Sequence, residues 1–100
     1  MPAYFFFDVL EITDPEKMET YRAGVSATVE AHGGIYRVIG GEQEGFEGDW
    51  RPVFPVLIEF PTAAAARAWY ESPEYSALRE LRLQAMRGSA VLLHGLPPAG

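Results

Sequence analysis

Residues 72–82, "SPEYSALRELR", place two arginines three positions apart, and neither Arg79 nor Arg82 has a carboxylate three or four residues to either side. A guanidinium without a partner on its own helix needs an anion from elsewhere, and its planar fork suits a carboxylate. Arg79 and Arg82 are therefore candidate ligand-binding residues for a small acidic molecule. Two plainer accounts stand beside this one: an acidic side chain from another element, or the negative end of the helix they occupy. Arg87 is unpaired in the same way, whereas Arg22 has Glu19 and Arg67 has Glu71 at helical spacing.

The acids and bases that could act with them are few. Asp8 interrupts an aromatic run, "AYFFFDVL", and a carboxylate buried there is costly unless paired or hydrogen-bonded, for example to Tyr36, Tyr21 or an arginine. In a dry site it becomes a candidate general base; at the rim of the sheet it sits in water. His32 falls on the apolar stripe of the first helix, as a second candidate base or as a cap interacting with the helix dipole. With Tyr36 or Tyr21 as proton donor and Arg82 orienting a carboxylate, this set could run cofactor-free acid–base chemistry on a small aromatic or enolisable acid. Phe5, Phe7, Tyr21 and Trp69 are the expected walls of an apolar cavity near Arg82. Trp50 closes a polar connection, either as the anchor that pins it to the domain or as part of a pocket wall.

Other chemistries are disfavoured. There is no cysteine, hence no thiolate ligand, thiol nucleophile or disulfide. Glu42, Glu44, Glu47 and Asp49 crowd one connection without calcium-loop spacing, and His32 and His94 lie far apart, so neither a metal nor a cofactor is expected. Gly33-Gly34 and Gly40-Gly41 flank a strand instead of joining a strand to a following helix, which is not the context of a phosphate loop. The formal net charge is −6, with 8 basic and 14 acidic residues, which argues against nucleic acid and anionic membrane surfaces as partners. The start, "MPAYFFFDVLEI", has no basic region before its apolar run and carries Asp8 inside it, so neither a secretory signal nor a membrane span is expected and the cytoplasm is the default location.

These residues must be positioned by a single domain, since 100 residues with 48% apolar content suit one core. The domain is expected over residues 1–96, with a flexible Pro- and Gly-rich tail at 97–100. "AYFFFDVL" reads as a strand; Asp14 and Pro15 open a helix whose stripe is Met18, Tyr21, Val25, Thr28, Val29 and His32, and Gly33-Gly34 stops it. "IYRVIG" is a second strand, and "RPVFPVLIEF" a third that begins beyond its prolines. Thr62 caps one short helix and Ser72-Pro73 starts another at a sharp bend, its inward stripe being Tyr75, Leu78, Leu81 and Ala85. "SAVLLHGL" is the fourth strand. The order β-α-β-β-α(α)-β is that of an α+β ferredoxin-like fold, a four-stranded antiparallel sheet with helices on one face. Yet "YFFF", "VLIEF" and "AVLL" are nearly continuous apolar runs, the pattern of strands covered on both faces. No helix is left for the second face, so the expected cover is the same sheet of another copy, in a homodimer. A hydrophobic ligand or a different protein on that face is the alternative.

With "TDPE" opening the first helix, "HGGIYRVIGG" across its end and the second strand, "EGDW" in the connection and "EFPTAAAARAWYESPEY" before the arginines, the chain resembles the DUF1330 family of small bacterial proteins, within the dimeric α+β barrel superfamily. The likeness spans nearly the full length. It implies the ferredoxin-like fold and the dimer, but no reaction, because the family is named for its unknown function; related branches include cofactor-free monooxygenases, isomerases and haem enzymes. The functional expectation is a small-molecule-binding module with a pocket between sheet and helices. A cofactor-free enzyme and a purely structural assembly protein are the alternatives.

Overall fold

A computed structural model describes residues 1–97. The elements are β1 (Ala3–Ile12), α1 (Pro15–Ala31), β2 (Ile35–Ile39), β3 (Pro55–Phe60), α2 (Ala63–Tyr70), α3 (Pro73–Ala85) and β4 (Met86–His94). The sheet is antiparallel with strand order β2-β3-β1-β4, the α+β ferredoxin-like arrangement expected from the order of elements. Except for Pro97, the expected tail lies outside the described residues. Among those residues no helix is long and apolar enough to cross a membrane.

Local chemistry sets most of the boundaries. Asp14 caps α1 by accepting from the Lys17 amide at 3.2 Å, with Pro15 supplying the first helical φ. Thr62 and Ser72 cap α2 and α3 in the same way, through the amides of Ala65 and Tyr75. Gly33 ends α1 at φ 76°, and Gly34 lies where a side chain would run into Val29 and the Phe60 ring. That close approach lets β2 leave directly beneath the end of α1.

Two boundaries differ from expectation. β4 begins at Met86, three residues before Ser89, because Met86 turns straight from α3 into extended backbone and pairs with Ile12, while Ala85 O accepts from the Thr13 and Asp14 amides. Gly88 is a paired strand residue opposite Val9. β3 starts at the second proline itself. Pro55 needs no ladder donor there, and its carbonyl accepts from Gly40.

Alternation along β1 sends Phe5 and Phe7 inward to the helices and Tyr4 and Phe6 outward. The register puts Phe6 beside Leu57 and Val91, and Tyr4 beside Leu93. The outer face is therefore an apolar surface, on which Val91 and Leu93 are about half exposed. The inner face carries the core of Phe5, Phe7, Ile58 and Phe60 against Val25, Val29, Trp69 and Tyr75.

Candidate functional site

Between the inner face of the sheet and helices α1 and α3 the core is hollow. The cavity measures about 550 Å³, and the partly exposed side chains of Leu10, Ile12, Ile39 and Phe54 are among those lining it. Its walls are mostly apolar, including Phe7, Val9, Met18, Val25, Val56 and Ile58. Such a volume with a few polar groups converging on it is the usual form of a small-molecule site.

Those polar groups come from four elements. α1 contributes Tyr21, Arg22 and Ser26, β1 contributes Glu11, β2 contributes Tyr36, and α3 contributes Arg82. Arg82 is 5% exposed, and no ion pair joins it to a carboxylate among the described residues. Its Nε donates to the Tyr75 hydroxyl at 3.2 Å, an Nη approaches the Tyr70 hydroxyl at 3.5 Å, and the guanidinium carbon stands 5.2 Å from the centre of the Phe7 ring. The Tyr75 and Tyr21 hydroxyls are 2.9 Å apart. A buried cation among neutral hydroxyls and an aromatic face has its charge solvated but not neutralised.

The titrations follow from this setting. Burial is the largest influence on Tyr21 and drives its hydroxyl far above the usual phenol range, reinforced by Tyr75. Tyr36 is pushed up to about 12, again first by burial and then by Tyr75, with the nearby Ser26 side chain opposing. For Arg82 burial alone pulls downward, but the oxygens of Tyr75, Tyr21 and Tyr70 outweigh it and the pKa rises. At neutral pH the cavity wall thus holds protonated phenols and a firmly charged guanidinium.

The structure brings together Tyr21, Tyr36 and Arg82 and leaves the other sequence candidates elsewhere. Arg79 lies outside the cavity; its guanidinium covers the Tyr70 ring at 5.1 Å and donates to the Tyr70 carbonyl. Asp8 is buried, 6% exposed, but not in the water-washed rim position and not beside a tyrosine or arginine: its carboxylate accepts the amides of Val53 and Phe54, each at 2.9 Å. It does not line the cavity, and it acts on it only by pinning Phe54, which does. His32 caps the far end of α1, with Nδ1 3.0 Å from the Thr28 carbonyl and Nε2 3.6 Å from Glu74. Trp69 is fully buried in the core next to the cavity, its Nε1 donating to Thr28 Oγ1 at 3.0 Å. Phe5 belongs to that core as well and is not a cavity wall. Trp50 is no anchor: it is 70% exposed on the acidic connection. Among the described residues no group of three or more His, Cys, Asp or Glu is arranged to hold a metal ion.

Two residues of the network, Tyr75 and Tyr70, were not singled out as functional by their sequence. The signal was present: Tyr75 and Arg82 are seven apart, two helical turns, and so share one stripe of α3. The stripe runs Tyr75, Arg82, Ala85, so the arginine faces inward where Leu81 had been expected.

The fold is found in known structures. A protein of unknown function from Rhodopseudomonas palustris matches with a TM-score of 0.71 at 21% identity, covering 97% of this chain and 84% of that one. Rv0793 of Mycobacterium tuberculosis matches at 0.61 and 16%, covering all of both chains. SnoaB, a cofactor-independent oxygenase from Streptomyces nogalater, matches at 0.58 and 13%, covering 97% and 93%. No curated protein matches the chain. Residues 2–96 match the family described as "Domain of unknown function (DUF1330)". The chain therefore belongs to the DUF1330 family, and the ferredoxin-like α+β fold that its sequence pattern implies is the fold it has.

Proposed function

We propose that the cavity between the sheet and helices α1 and α3 binds a small, mostly apolar molecule that carries an acidic or strongly accepting oxygen. One observation carries this reading: Arg82, a buried and charged guanidinium without a carboxylate partner among the described residues, forms part of a mostly apolar cavity wall. The apolar walls would take the body of the ligand and Arg82 its charge. The hollow weighs against a purely structural role, since cores are ordinarily filled to crystal-like density. The test is titration calorimetry with 2-naphthoate on the wild type, Arg82→Gln and Arg79→Gln. Binding is expected to weaken by about tenfold or more in Arg82→Gln and to persist in Arg79→Gln, whose side chain lies outside the cavity. Equal binding by the wild type and Arg82→Gln would overturn the role of Arg82.

A cofactor-free enzyme is the second reading. It is favoured by Tyr21 and Tyr36, two phenols kept protonated on the cavity wall, and by the fold shared with SnoaB, a cofactor-independent oxygenase. It lacks a base, because Asp8 and His32 are engaged outside the cavity and Glu11, at its mouth, pairs with Arg87 at 3.5 Å. Binding is the better-supported function.

The partner proposed for the outer face is a second copy. Phe6, Leu57, Val91 and Leu93 make a continuous apolar patch across three strands, in a position where two sheets can stack. Light scattering at micromolar concentration is expected to give twice the 11.1 kDa chain mass. A monomer under those conditions would remove the proposal.

A further inference from the structure

We infer that Tyr21 is a one-way hydrogen-bond donor to the ligand, held in that orientation by Tyr75 and Arg82; this rests on the ligand site proposed above. The direction follows from counting protons along the chain Arg82–Tyr75–Tyr21. Arginine can only donate, so the Tyr75 oxygen accepts from Arg82 Nε at 3.2 Å. Tyr75 is wholly buried and its hydroxyl has one further neighbour among the described residues, the Tyr21 oxygen at 2.9 Å.

Two arrangements satisfy that contact. If Tyr21 donated to Tyr75, the proton of Tyr75 would be left without an acceptor in a site closed to water, which is a heavy penalty for a buried donor. If Tyr75 donates to Tyr21, every group at Tyr75 is satisfied. The remaining proton is then that of Tyr21, for which no protein acceptor stands among the described residues. Tyr21, unlike Tyr75, lines the cavity. Its hydroxyl proton therefore belongs to whatever fills the cavity.

This sharpens the class of ligand. Its polar end must accept at Tyr21, as a carbonyl, phenolate or enolate oxygen does, and an ammonium in that place would meet a donor with a donor. Each hydrogen bond in such a chain polarises the next, so the charge of Arg82 reaches the ligand oxygen through two phenols, favouring an anionic oxygen over its protonated form. Tyr75 is a positioning residue here, since it does not touch the cavity. The other charged groups lining the site are Arg22 and Glu11.

The test uses 4-nitrophenol, whose ionisation is visible in its absorbance, and 4-nitroanisole, which has a similar body but cannot ionise. Wild-type protein is expected to bind the nitrophenolate form in preference, so that the bound probe ionises at a lower pH than in water. Tyr75→Phe and Tyr21→Phe are each expected to reduce that preference about tenfold while retaining affinity for 4-nitroanisole, which confirms that the cavity is intact. If Tyr75→Phe and Tyr21→Phe kept the preference and only Arg82→Gln lost it, the ligand would be held by Arg82 directly; the proposed function would stand and the relay would fall. If wild-type protein bound neither probe nor 2-naphthoate, both would fall together.

Discussion

The space between the sheet and its helices is solid where α2 joins the helical layer and hollow where α1 and α3 face β2 and β3. In the solid half Trp69 is packed 5.4 Å from Phe5, 5.4 Å from Phe60 and 4.2 Å from Tyr75, ring centre to ring centre, and all four side chains are buried. The hollow half, with Val9, Val25, Ser26 and Val56 among its walls, leaves about 550 Å³ unfilled between sheet and helices. Arg82 and Tyr75 stand at the border, and the hydroxyls of Tyr75 and Tyr21 form the seam. One half supplies fold stability, and rigid aromatic packing there holds the polar groups that the other half presents. A site of fixed geometry needs such support behind it.

The largest effect should come from breaking the solid half. Trp69→Ala removes the ring around which Phe5, Phe60 and Tyr75 pack and leaves the hydroxyl of Thr28 without its donor. Large-to-small changes of this kind cost about 3–5 kcal/mol, which for a chain of this length corresponds to a fall in Tm on the order of 20 °C. Urea unfolding followed by fluorescence measures it. A loss below about 1 kcal/mol would mean that the aromatic cluster is not what stabilises the fold, and the contrast between the two halves would lose its meaning.

A smaller effect, confined to alkaline pH, reports on the hollow half. Tyr36 has its pKa raised from 10.0 to about 12 in the folded chain, mainly by burial. A raised pKa means that the folded state holds the proton more tightly than the unfolded one. This contribution is fully present below about pH 10 and is lost as pH rises through about 12. Tyr36 is half-buried, so solvent moderates the loss, and Tyr21, shifted in the same direction, extends it to higher pH. Tyr36→Phe should unfold at nearly the wild-type denaturant midpoint at pH 7 and fall less steeply between pH 10 and 12. Parallel pH profiles for the two proteins would show that Tyr36 is not desolvated.

The solid half was more legible in the sequence than the hollow one, for physical reasons. Caps and prolines act locally, so Asp14-Pro15, Thr62 and Ser72-Pro73 mark helix starts within their own few residues. The missing partner of Arg82 was equally local, because an absence at three- and four-residue spacing can be read directly. Its direction was not. A stripe of Tyr75, Leu78, Leu81 and Ala85 leaves arginine outside by the rule that charge avoids the core, and the rule yields here because three tyrosines of α1, α2 and α3 meet around the guanidinium. Asp8 shows the same limit: its partners are the backbone amides of Val53 and Phe54, 45 and 46 positions away, which no side-chain type announces. Trp50 misled in the opposite sense. An aromatic at the end of a polar loop suggested an anchor, but the ring is exposed, and the loop is tied to the sheet through the Val53 and Phe54 amides instead. A hollow is harder still to read, since it depends on how far apart the layers are held and not on any one residue.

The smallest expected change in stability gives the sharpest separation of the two halves. Val56 lies on the inner face of β3, between Phe7 and Ile39 in the register, and its side chain borders the cavity. In a filled core, enlarging it to phenylalanine would force neighbours off their rotamers at a cost of about 1–3 kcal/mol. Here there is about 550 Å³ of space to receive the ring, and the apolar surface it covers offsets what strain remains. Val56→Phe is therefore expected to leave the unfolding free energy within about 1 kcal/mol of wild type while cutting 2-naphthoate affinity by about tenfold or more, since the ring occupies the place of the ligand body. The comparison lies in the pairing of the two readouts: binding lost with stability kept identifies the hollow as a site held open within the fold. Stability lost together with binding would show instead that this half is as closely packed as the other, and that the cavity closes in solution.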